Sequence, residues 1–142
     1  MHKINFLILF FLVICWAQVS NAQSVVGTWK TIDDETGKPR SLVQIYEQGG
    51  KLYGKITKFF PEPNEEENPL CKECKGTKKN QPILGMIIIE NLKKNGNEWK
   101  SGTILDPKNG SVYDCKIWLE DNELKVRGYL GFFYRTQTWV KP

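Results

Sequence analysis

Cys71 and Cys74 form a C-x-x-C bracket inside NPLCKECKGTKKNQP, residues 68–82. Two cysteines at that spacing can ligate a metal, exchange thiols with a redox partner, or close on each other as a short disulfide. A structural zinc site needs four ligands, mostly thiolates and imidazoles. Beyond the N-terminal segment the chain adds only Cys115, and its single histidine is His2. Thiol exchange of the thioredoxin kind belongs to a βαβ setting, and no sustained 3.6-residue apolar period stands here outside the N-terminal segment. The favoured reading is a Cys71–Cys74 disulfide that staples a loop. A bridge from either cysteine to Cys115, a metal site and free thiols are the alternatives. Cys115 lies on an apolar strand face and reads most simply as a small buried hydrophobe.

The choice among these depends on compartment. MHKINFLILFFLVICWAQVSNAQ opens the chain with Lys3, then an unbroken apolar run from Phe6 to Ala17, then small residues at Ser20 and Ala22. That order describes a secretory signal cut after Ala22. The apolar run is too short for a bilayer-spanning helix, which needs about 20 residues. The expected domains are therefore a cleaved signal peptide, 1–22, and a single domain, 23–142, with no membrane span after cleavage. Localisation is expected to be periplasmic or secreted, where disulfides persist.

Export also narrows the chemistry. Loss of the first 22 residues removes His2, so the mature chain has no imidazole for a nucleophile–base pair or a metal site. It keeps 19 basic against 16 acidic residues, too mild a balance for nucleic-acid binding without a basic stripe carrying interleaved aromatics. Asp106, Asp114, Glu120 and Asp121 are the carboxylates closest to a catalytic reading, but DPKNG and LEDNEL are better explained as turn chemistry. No catalytic residue, cofactor or metal is assigned, and an enzyme is not expected. Tyr129, Phe132, Phe133 and Tyr134 cluster in GYLGFFYRT. They read as core or barrel-end packing, with the lining of a ligand cavity as the alternative.

These side chains must be positioned by strands. Short β-branched and aromatic runs occupy 25–32, 42–48, 51–60, 83–92, 98–105, 111–119, 123–130 and 134–140. Gly49-Gly50, Asn95-Gly96 and DPKNG at 106–110 supply tight-turn chemistry between neighbours. About eight strands joined mostly by hairpins predict an all-β antiparallel meander, and closing it into a barrel removes exposed edges. Alternation places Tyr113, Cys115, Ile117 and Leu119 on one face. Polarity does not choose the inward face of the last two strands, so either Arg127 or Arg135 could point inward. The connection 61–82 has no strand pattern; its first half is acidic and its second mostly basic. Connections of that length are usually functional or disordered, and a plain solvated insertion is the simplest account of this one.

In order along the chain, VVGTWKT, CKEC with NQPILGM, W-x-x-G-x-I-L-D-P-x-N-G-x-x-Y-x-C at 99–115, LKVRGYLG and RTQTW resemble the bacterial exported family called domain of unknown function 2147. The resemblance implies a small lipocalin-like β-barrel and brings no established activity or site residue. Gly27-Thr28-Trp29 is also similar to the G-x-W signature of lipocalins, whose tryptophan plugs a barrel end beneath an arginine of the last strand. By that likeness Arg135, with Arg127 second, is expected over Trp29. The functional expectation is a non-enzymatic exported barrel binding a small, partly apolar molecule. An envelope-associated structural or protein-interaction module is the alternative.

Overall fold

A computed structural model describes residues 23–142; the expected signal peptide, 1–22, lies outside the described residues. Eight strands run β1 (Gly27–Ile32), β2 (Pro39–Gln48), β3 (Lys51–Phe59), β4 (Ile87–Asn95), β5 (Glu98–Asp106), β6 (Ser111–Glu120), β7 (Glu123–Leu130) and β8 (Phe133–Trp139). They pair antiparallel in sequence order. Lys30 and Val140 then bond to each other through both backbone N–H groups, at 2.7 and 3.0 Å, and nearly close the sheet into a barrel. Local chemistry dictates much of this. Turns at Gly49-Gly50 and at Gly96 sit at positive φ, so the chain reverses within a few residues and each strand meets its successor.

Period-two alternation decides what faces in. Trp29 and Thr31, Val43 and Ile45, Leu52 and Ile56, Cys115 and Ile117, and Leu124 and Val126 are all buried. On the last strand Trp139 is buried, and Gln137 and Arg135 share its side. The inward faces of β7 and β8 are thus Leu124–Val126–Gly128 and Arg135–Gln137–Trp139. Arg127, one position off, lies on the outside. Its guanidinium stands 4.9 Å from the Trp118 ring and 4.4 Å from the Tyr134 ring.

The fourth strand is displaced from its expected position. It begins at Ile87, because Ile83 and Met86 belong to the preceding connection. The Ile83 N–H donates to the Pro69 carbonyl at 3.0 Å and Leu70 bridges Pro82. Apolar residues there resemble a strand in sequence but serve as the foot of a packed loop. Residues 60–86 fold over one barrel end. They carry a single 3-10 turn, Gly76–Lys78, anchored where Lys78 Nζ meets Glu90 at 3.0 Å.

Candidate functional site

Strand direction separates two barrel ends. The hairpins at 49–50, 96–97 and 121–122 share one end, which is filled by Trp29, Leu52, Leu92, Trp99 and Leu124, all buried. At the opposite end the β1–β2, β5–β6 and β7–β8 turns and the 60–86 connection surround an open mouth. The mouth opens into a cavity; together they enclose ≈ 880 Å³. Its walls include Ile56, Ile88, Ile104, Leu105, Val126 and Trp139, with Gly128 leaving space where another residue would place a side chain. This is the size and lining of a small-molecule pocket.

Polar groups within the cavity already hold one another. The Thr31 and Ser41 hydroxyls lie 2.8 Å apart. Trp139 Nε1 donates to Gln137 Oε1 at 3.1 Å, and Gln137 Nε2 donates to Asp34 Oδ2 at 3.0 Å. Asp34 in turn receives Arg135 Nη2 at 2.6 Å. This relay runs from the cavity wall to the rim. Among the described residues, no buried side-chain nitrogen or oxygen lacks a partner. The deep lining is mainly apolar, so a ligand's polar group placed there would give up water for few partners.

Charge gathers at the mouth. Asp33, Asp34 and Glu35 come from the β1–β2 turn, Glu62, Glu65 and Glu66 from the long connection, and Asp106 from the end of β5. Arg40, Lys72, Lys108 and Arg135 are the cations bordering the same space. Arg40 Nη2 reaches both Glu65 carboxylate oxygens at 3.0 and 3.1 Å, and its Nη1 is 3.8 Å from Glu62. Asp33 accepts the backbone N–H groups of Thr36 and Glu35 at 2.8 and 2.9 Å. These bonds, Thr36 first, hold its carboxyl below the usual range, so it stays ionised.

Cys71 and Cys74 form the expected disulfide. Both are buried, and the segment is seated on the β5–β6 turn, where Gly110 at φ 72° lies against the Glu73 carbonyl. The bracket thus fixes the loop that supplies Pro69, Leu70, Lys72 and Ile83 to the cavity wall. Cys115 is a free, buried thiol whose pKa desolvation pushes up to about 12. Burial thus disfavours the thiolate, which is the nucleophilic form.

The other sequence-stated residues divide. Phe133 and Tyr134 border the mouth. Phe132 points wholly into solvent, 102% exposed, and Tyr129 sits on the outer face with its ring 5.9 Å from that of Tyr134. The expectation that an arginine covers Trp29 is corrected by register. Lys30 opposes Val140, so Lys141 comes level with Trp29, and Lys141 Nζ lies 4.6 Å from the indole centroid. Arg135 is carried toward the mouth instead. The wall residues Ile56, Ile104, Leu105 and Val126 were not singled out in sequence; strand parity alone marks them as inward and says nothing of the void between them.

Against known proteins, a family model described as "Uncharacterized protein conserved in bacteria (DUF2147)" matches residues 27–141. Among solved structures the chain is similar to protein HP1028 from the human pathogen Helicobacter pylori, described as belonging to the lipocalin family. The TM-score is 0.69 and identity 19%, over 84% of this chain and 83% of that one. At that identity the likeness shows a shared lipocalin-like barrel fold. A search of curated proteins found no match.

Proposed function

We propose that this chain, which belongs to the DUF2147 family of bacterial proteins, is an exported, non-enzymatic barrel that binds a small, partly apolar molecule in its open cavity. The cavity itself carries the reading. An eight-stranded barrel can fill its interior with side chains and need no ligand. A structural or interaction module would be expected to do so, whereas here a cavity of ≈ 880 Å³ runs from apolar walls out through the charged mouth. The lipocalin-like fold is compatible with that use.

Gly128 provides the test. A Cβ built there would meet Tyr113 at 3.4 and 3.7 Å and Ile104 at 3.8 Å, ordinary contact distances. Gly128→Phe should enter the void with the fold intact. Binding of a neutral apolar dye such as N-phenyl-1-naphthylamine should then weaken by about tenfold, roughly 1.4 kcal/mol. Equal dye affinity in a folded variant would move the binding site out of the cavity.

Export rests on the N-terminal pattern and agrees with the Cys71–Cys74 disulfide. Protein isolated from its host should have the intact mass of a chain starting at Gln23 with two cysteines oxidised. A mass that retains Met1 would contradict cleavage.

A further inference from the structure

We infer, resting on the cavity reading above, that the ligand is a cationic amphiphile: a single hydrocarbon chain seated in the barrel with a positively charged head held at the mouth. Three observations lead there. Inside, the walls are mainly apolar, and the Thr31–Ser41 and Trp139–Gln137–Asp34 groups bond to one another, so the seated portion is hydrocarbon. At the rim, Leu130 and Phe133 border the cavity yet stand 66% and 82% exposed. Large exposed apolar groups continuous with a pocket are surface that an occupant would cover. They extend the apolar path out to the mouth, as a chain with a head group outside requires.

The third observation decides the head. Seven carboxylates and four cations border the space, on a chain whose formal net charge is +4. The mouth thus opposes the sign of the whole molecule. The two arginines are already committed, Arg40 to Glu65 and Glu62 and Arg135 to Asp34. Among the described residues, Lys72 and Lys108 are the bordering cations outside an ion pair, so an anionic head would meet two lysines in a mouth of seven carboxylates, or would have to displace a carboxylate from a guanidinium. Glu35 and Glu66 border the mouth, are exposed, and among the described residues have no ion-pair partner. They are free to face a cation. The cavity makes the site, and the carboxylates select the charge of what enters it.

Isothermal titration of protein purified from cells expressing the full chain tests this. The probes are decyltrimethylammonium, decyl sulfate and decyl maltoside, each below its critical micelle concentration. At low ionic strength the cationic probe should bind at least about tenfold tighter than the anionic one, with the gap closing as salt screens the mouth. Nonspecific attraction to a net-positive chain predicts the reverse order, so this preference is diagnostic. Glu35→Gln/Glu66→Gln should leave decyl maltoside affinity unchanged and remove most of the gap. Decyl sulfate binding as tightly as the cation, or a gap untouched by the double variant, would overturn the cationic head while leaving the cavity reading standing. Failure of all three probes to bind would overturn both.

Discussion

Trp29→Ala is expected to destabilise the barrel by about 3–5 kcal/mol, the range for emptying a large aromatic site in a packed core. The indole is fully buried, and its Nε1 donates to the Val25 carbonyl at 2.8 Å. The substitution therefore opens a void at the closed end and strands a buried acceptor. That loss is a large share of the 5–15 kcal/mol a domain usually has, so chemical denaturation should show a midpoint far below that of the parent. Lys141 supplies the cation over this ring. A double-mutant cycle of Trp29→Leu with Lys141→Met should reveal coupling of about 0.5–1 kcal/mol. Trp29 with Arg135→Met or Arg127→Met should add independently. Coupling to either arginine and none to Lys141 would mean that the β1–β8 register is wrong.

Gly110→Ala is expected to cost about 2–5 kcal/mol and to loosen the stapled loop at the cavity mouth. Two costs combine. Gly110 sits at φ 72°, a left-handed conformation that penalises residues with a Cβ by roughly 1–2 kcal/mol. The added carbon would also collide with the Glu73 carbonyl group, and such overpacking usually costs about 1–3 kcal/mol. Gly37→Ala is the control. It has a similar φ of 71° but nothing within 4 Å of its new carbon, so it carries the conformational cost alone. Urea unfolding should rank Gly110→Ala clearly below Gly37→Ala. Native-state reduction of Cys71–Cys74 by a phosphine should be faster in the former, because the sulfurs lose their cover. Equal stability of the two variants would show that the loop does not rest on the β5–β6 turn.

The two substitutions probe opposite ends of one architecture, and their separation explains the division of labour. The Trp29 end is a solid core that holds the eight strands together, while the Gly110 end holds a loop in place around a void. A filled end can tolerate an open one because each strand is long enough to contribute to both. On β7, Leu124 packs in the core while Gly128 and Leu130 face the cavity.

By itself the sequence determined the strands, their hairpins and the all-β meander. Those depend on local physics: period-two burial, as in Tyr113–Cys115–Ile117, and glycines at turns such as Gly49-Gly50 that reverse the chain within a few residues. It also made the Cys71–Cys74 staple the favoured pairing, since two cysteines three apart need little from the rest of the fold. What it left open were quantities set by distant contacts. The inward face of β7 and β8 follows from closure against β1, a pairing between Lys30 and Val140 that no local pattern specifies. That register put Lys141 over Trp29 and sent Arg135 to Asp34 at the mouth. The start of β4 shifted because Ile83 answers to Pro69 across the long loop, where its apolar character serves packing and not a strand. The cavity was the least legible feature. Its walls are ordinary inward residues, and an empty volume depends on how far apart the closed barrel holds them, which only the tertiary structure decides.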